Sequence, residues 1–352
     1  NEIANELVEI GAIYALFENA RRARRGMSKE AYAREMAALL APFSTIAART
    51  EGAVSRRARA ADEIAARSAE NPMLYDPFTK AVMAKDGVNM GASIVMTSAG
   101  KARSLGVSED KFVYLHGHCD TVEKPIMERP DLGASPAMAA AYRTALDRAV
   151  VSVRDVRHLD FYSCFPVAVF AACEGLGVDL NDERAITTIG GLPFFGGPGN
   201  NYSLHALAGL VRILRRDRNA FGVIGANGGF LTKHSVGVYS TTPPASPFAP
   251  SDDRAVQARL DASPGARWTE TGEGEAVIET YTVTHKKGAP HRSHVIATMK
   301  SSGLRTLAVT AAEDRETPFL MDREDMLGAT VFIRPEERGN SFTIVKPSPL
   351  AR

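Results

Sequence analysis

Apolar residues recur at helical spacing between residues 5 and 24, where Leu7, Ile10, Ile13 or Tyr14, and Phe17 share one face. A basic run, RRARR, follows them. Ser28 is placed to cap a second helix reaching about Leu40, with Tyr32, Met36 and Leu39 on its inner face. From Ser44 to Met73 the chain mixes Ala, Arg and Glu with little apolar pattern, which predicts a solvated helix and loop. The RRARR and RRARA runs predict solvated helix faces rather than nucleic-acid contacts, because no aromatic residues interleave with the charges.

From Asp86 the texture changes. GASIVMTSAGKARSLGV predicts a buried strand, Ala92 to Thr97, followed by a short helix. KFVYLHG predicts another strand. SPAMAAAYRTALDRAVVSV predicts a helix capped by Ser135, with Pro136 at its first position. HLDFYSCFPVAVFAACEGLGV reads as a strand running into a helix, FGVIGANGGF as a strand ending in a glycine-rich turn, and KHSVGVYST as a further strand. This alternation predicts a layered α/β domain over residues 86–242, behind a helical region at 1–85. TTPPASPFAPSDD, near 241–253, reads as a Pro-rich linker. Beyond it EAVIETYTVTH, SHVIATMK, LRTLAVTA and TVFIRP alternate as strands do, which predicts a small, OB-like β-barrel over 254–352.

Composition narrows the classes. Hydrophobic residues make up 45% and charged residues 24%, and a net charge of +1 gives no field toward nucleic acid or a membrane. No run of about twenty apolar residues occurs, so no membrane span is expected. Cys119, Cys164 and Cys173 form an odd, sparse set, which suits a reducing cytoplasm. His116, His118 and Cys119 lack a fourth ligand and read as a strand-end turn, so no metal is expected. Cys173 reads as helix core, Trp268 as a packing anchor, and Lys286, Lys287, His291 and Arg292 as charged turn residues in solvent. The first residue is Asn1, with no signal pattern after it, and the chain reads as processed or truncated at its start.

The densest turn is GGLPFFGGPGNN, residues 190–201. It has no Lys-Ser/Thr pair and no G-x-G-x-x-G, so it matches neither phosphate fingerprint. On its residues alone, a tight connection and a ligand turn both stay open. The order of motifs around it resembles the thiolase superfamily, from the end of the first half of that duplicated fold through the whole second half. DGVNMGASIVMTSAGKARSLGV is similar to the last strand and helix of the first half. DFYSCFP stands at the His-Asp-Cys-Phe loop, GGLPFFGGPGNN at the Gly-His-Pro loop, and GANGGF at the late Cys- or Gly-rich loop. With the β-rich tail, the chain resembles the sterol-carrier-type, acetyl-CoA acetyltransferase-like members. The resemblance implies thioester exchange coupled to C–C bond formation or cleavage, with coenzyme A or acyl-CoA as substrate and no tightly bound cofactor.

It also implies site residues. Cys164 takes the acid/base position, near a helix N-terminus that favours a thiolate. Asn200, Asn201, His205 and His234 are candidates to surround the thioester oxygen. Gly190, Gly191 and Gly197 of one bend, and Asn227, Gly228 and Gly229 of the other, are expected to turn their amides into a shared hollow beside the Cys164 sulfur. The sequence departs from the family at Tyr162 and Ser163, which replace the loop's Asn or His and its acidic residue, and at Gly197, which replaces the catalytic His. The acylated cysteine belongs to the first half, and nothing before Asp86 supplies its setting. Two functions therefore remain: an acetyl-CoA acetyltransferase-like acyltransferase, and a catalytically silent acyl-CoA-binding protein. The second would be completed by a first half, a partner chain or a second copy. A third option makes the barrel a nucleic-acid or protein interaction module.

Overall fold

The computed structural model describes residues 1–246 and 252–344. Helix α1 (Ile10–Arg24) starts later than the periodicity predicts, after a turn over the first residues. Helix α2 (Lys29–Arg49) carries the predicted Ser28 cap but runs nine residues past Leu40, through Pro42. The extension follows from Phe43 and Ala47, which repeat the buried face of Met36, Leu39 and Leu40. The RRARR run corrects the solvated reading: Arg21 and Arg22 are fully buried. Arg21 pairs with Glu35 and Glu174, and Arg22 with Asp325. Buried charge requires such partners.

A short helix, α3 (Ala61–Ala65), and a hairpin of β1 (Met73–Tyr75) and β2 (Phe78–Thr79) precede the predicted strand at Ala92–Thr97. No strand forms there. The residues have the apolar character, but among the described residues no strand offers them a ladder, and Val95 and Met96 are exposed. Helix α4 (Ala99–Ser104) follows.

The α/β layer then assembles in order: β3 (Tyr114–Val122), α5 (Pro136–Ala149), β4 (Val156–Asp160), α6 (Pro166–Leu176), α7 (Gly191–Phe194), α8 (Tyr202–Arg216), β5 (Phe221–Gly228) and β6 (Lys233–Ser240). The four strands lie in the order β3-β6-β5-β4, with β4 and β5 parallel and the other pairs antiparallel. Strand β3 absorbs His116, His118 and Cys119, correcting the strand-end turn. Cys119 is buried, and the His118 imidazole lies on the other side of the pleat beside Asp120, where Asp253 is already paired with Arg148. Helix α6 is apolar on every face and buried from Pro166 through Cys173, as a central helix must be.

The Pro-rich linker includes residues 247–251, which lie outside the described residues. After α9 (Arg254–Ala262) come β7 (Gly274–Lys286), β8 (Ala289–Met299), β9 (Arg305–Thr310), α10 (Glu316–Arg323), β10 (Thr330–Pro335) and β11 (Asn340–Ile344). Five strands close as β7-β8-β9-β11-β10, with β10 returning to β7. Period-two alternation divides their side chains. Val295, Ala297 and Ala308 fill the barrel, while Ile296 and Leu307 join the main core. The β1–β2 hairpin pairs with β7 through Tyr75 and Thr284, so the region before the α/β layer is stitched to the barrel. Asn19 reinforces this seam by donating to the carbonyls of Asp76 and Tyr281. Trp268 is partly buried against the main core.

Candidate functional site

Cys164 lies between the end of β4 and the start of α6, with Phe165 as N-cap and Pro166 in the first turn. Its sulfur accepts a hydrogen bond from Asn227 Nδ2 at 3.5 Å. The same amide donates to the Tyr14 hydroxyl at 3.1 Å, and the Leu231 backbone N–H donates to that hydroxyl at 2.9 Å. Tyr14 in turn reaches the Gly229 carbonyl at 3.3 Å and stacks on Phe165 at 4.3 Å between ring centroids. Three distant segments thus meet at one sulfur: α1, the β4–α6 loop, and the bend between β5 and β6.

The helix N-terminus does not make Cys164 a thiolate. Burial pushes its thiol up to about 12, against the opposing pull of Tyr14, Asn227 and backbone amides. The first turn of α6 already serves another carboxyl group: Glu18 accepts from the Val167 N–H at 2.8 Å and from Tyr32 Oη at 2.6 Å. Burial raises the Glu18 carboxyl to about 7.

The bend at residues 190–199 is filled rather than hollow. A Cβ on Gly190, at φ +108°, would lie 2.6 Å from the Ala47 backbone. One on Gly191 would lie 2.5 Å from the Phe43 ring and 2.7 Å from Ser163 Oγ, and one on Gly197 would lie 2.9 Å from Tyr202 Cβ. These glycines let α2 and α8 close on the turn. Their neighbours' amides are engaged: Gly190 N donates to Thr187 Oγ1, Leu192 N to Ser163 Oγ, and Gly197 N to the Lys85 carbonyl. The turn is anchored by buried Asp160, which takes the Thr188 N–H and the hydroxyls of Thr187, Thr188 and Tyr202. Only the second bend reaches the Cys164 sulfur, so the expectation of one hollow shared by both bends is corrected.

The remaining candidates divide. Asn200 is exposed. Asn201 stands at the N-cap of α8 without a side-chain capping bond and donates instead to the Met90 carbonyl at 3.0 Å. His205 packs on Phe195, and burial lowers its pKa. Among the described residues none of these three bonds to Cys164. His234 stands opposite Asn227 in the β5–β6 register and is buried, with Nε2 3.1 Å from Ser135 Oγ, which donates to Glu123 at 3.0 Å. Burial, aided by the Arg129 charge, drops His234 to about 3, so the ring is neutral near pH 7. Gly228 and Gly229 shape the second bend, where an added Cβ meets nothing nearer than 3.8 Å and 3.4 Å respectively.

The thiolase-like protein type 1 additional C-terminal domain matches residues 255–338. The crystal structure of a monomeric SCP2-thiolase-like protein type 1 from Mycobacterium smegmatis is 40% identical, with a TM-score of 0.92 over 98% of this chain and 75% of that one. The chain belongs to the SCP2-thiolase-like protein type 1 family. A comparison with curated proteins finds no match.

Within this thiolase-like frame, the first bend forms one wall of a cleft of about 240 Å³. Pro193, Phe194, Val54, Ala81, Arg59 and Lys85 line it. Burial lowers the Lys85 pKa, and the charges of Lys80 and Arg59 lower it further. Arg59 is also paired with Glu63 at 3.5 Å.

Sequence reasoning missed Tyr14, Leu231, Glu18 and Arg129. Tyr14 was visible only as one member of an apolar helix face, although a buried tyrosine hydroxyl needs a partner. Leu231 carries no signal, since its part is played by the backbone. Arg129, fully buried, fixes the second bend from behind by donating to the Phe230 carbonyl and Thr232 Oγ1.

Proposed function

We propose that this chain is a thiolase-fold protein that binds coenzyme A or an acyl-CoA and does not itself exchange the acyl group. One observation carries the reading: the half-buried thiol at the family's acid/base position takes the Asn227 amide beside the Tyr14 hydroxyl, and desolvation pushes it up to about 12. A thiol held at about 12 has too little thiolate near pH 7 to take an α-proton. His234, held near 3, does not replace it as an imidazolium donor. The binding part of the reading is supported by the cationic cleft, whose Arg59 and Lys85 suit phosphate while Pro193 and Phe194 suit an apolar arm.

A second reading, an acetyl-CoA acetyltransferase-like enzyme, is favoured by the position of Cys164 at the strand end ahead of α6, with an amide donor on its sulfur. Calorimetry with coenzyme A, paired with a thiolysis assay on acetoacetyl-CoA, separates the two. Binding without turnover supports the first reading. Turnover that disappears in Cys164→Ala establishes the second, and absence of both binding and turnover removes the first.

A further inference from the structure

Strand β3 is an edge of its four-stranded sheet: β6 lies on one side, and among the described residues no strand lies on the other. An open edge carries backbone donors and acceptors that invite a further strand. Here side chains answer them. Gln257 of α9 accepts from the Val122 N–H at 2.8 Å and donates to the Val122 carbonyl at 3.0 Å, the two bonds that a residue of a paired antiparallel strand would make. Asp253, the N-cap of α9, accepts from the Asp120 N–H at 2.9 Å. Arg148 of α5 donates to the His118 carbonyl at 2.6 Å and pairs with Asp253. Residues 118, 120 and 122 are the alternate positions whose backbone groups point out of the sheet, and side chains reach all three.

Helix α9 is itself lightly held. Along its length only Val256 is buried. Its other attachments are polar: Arg148 donates to the Asp252 carbonyl at 3.0 Å, and Lys124 to the Asp261 carbonyl at 3.1 Å. An element with so little buried apolar surface opens before the core does. The strand beneath carries its own complement. His118 and Asp120 stand two residues apart on one face of β3. A two-fold axis through Cys119 sets His118 of each copy opposite Asp120 of the other, imidazole against carboxylate, in the hydrogen-bonded pairs of an antiparallel ladder.

We infer that α9 is a strand mimic that guards the β3 edge, and that β3, once α9 lifts, pairs antiparallel with β3 of a second copy of this chain. Two four-stranded sheets then join into one. This inference does not depend on the acyl-CoA reading.

Hydrogen exchange followed by NMR on the intact chain reads the guard. In wild type the Asp120 and Val122 amides exchange about a hundred-fold more slowly than exposed amides, and Gln257→Ala removes that protection at Val122 alone. Exchange of Val122 at the rate of an open edge in wild type overturns the guard. Analytical ultracentrifugation reads the partner. The triple variant Asp253→Ala, Val256→Ser, Gln257→Ala takes away the mimic and its apolar anchor, and self-associates about a hundred-fold more tightly than wild type. Adding His118→Asp sets carboxylate against carboxylate at two places in the dimer and weakens it about ten-fold. A folded triple variant that stays monomeric at millimolar concentration, or that takes up only an unrelated extended peptide, overturns pairing with a second copy. A dimer indifferent to His118→Asp overturns the β3 register. Should the triple variant lose its fold, Val256→Asp carries the same arms.

Discussion

At Gly190 an added methyl group would lie 2.6 Å from the backbone of Ala47, whereas at Gly228 it would meet nothing nearer than Lys233 Cβ at 3.8 Å. Both bends are glycine-rich, but the first follows α6 and a loop, while the second leaves strand β5 directly. In the first, glycine lets two helices close on a turn whose amides are already bonded. In the second, the backbone is held in a left-handed bend, and its N–H is turned toward an oxygen near a sulfur. A glycine-rich turn alone therefore does not indicate a ligand. The deciding facts are what the missing side chain would strike and what the amides already hold.

The sharpest way to break this contrast is a pair of alanines. Gly190→Ala combines a positive φ with a backbone clash and should cost about 4 kcal/mol or more, or prevent folding. Gly228→Ala should cost under about 1 kcal/mol. Thermal and urea unfolding read both, and equal costs at the two positions would contradict the packing role of the first bend.

Glu18 sharpens the second side, because it holds the α6 terminus that would otherwise favour the Cys164 thiolate. Its carboxyl is raised from 4.5 to about 7. The stability this contributes is full below 4.5 and is lost as pH rises through 7, by up to about 3 kcal/mol. Glu18→Gln should flatten that stretch of the stability-pH curve, and an unchanged slope would contradict it.

His234 acts with the opposite sign. Its pKa is lowered from 6.5 to about 3, so its contribution is present above 6.5 and is lost as pH falls. Between pH 6.5 and 5.5 the loss is about 1 kcal/mol, and His234→Gln should remove it in urea titrations at those two pH values. At the first bend, Lys85→Ala or Arg59→Ala should each weaken coenzyme A binding about ten-fold by calorimetry, equivalent to about 1.4 kcal/mol. Unchanged affinity in both would detach the cleft from the ligand.

Much of this was legible in the chain. Alternating strands and helices between residues 111 and 240, and the period-two run after 274, specify a layered domain and a barrel, because burial on one or both faces leaves its pattern in every strand. The Ser28 and Ser135 caps were readable for the same local reason. Ala92–Thr97 misled because apolar composition describes a strand's faces and not its hydrogen-bond partner. Arg21 and Arg22 misled because their partners, among them Glu174 and Asp325, lie far along the chain. Cys164, Asn227 and His234 were singled out by motif order, and the structure brings the first two into contact. Tyr14 was out of reach, since its role exists only once residues 213 apart in sequence meet.

The un-ionised, covered thiol is tested most directly by peptide-resolved iodoacetamide labelling of the native chain between pH 6 and 9. A Cys164 thiol held at about 12 predicts a slow rate that climbs about ten-fold per pH unit with no plateau. A plateau reached by about pH 8 would reveal a ready thiolate and contradict it.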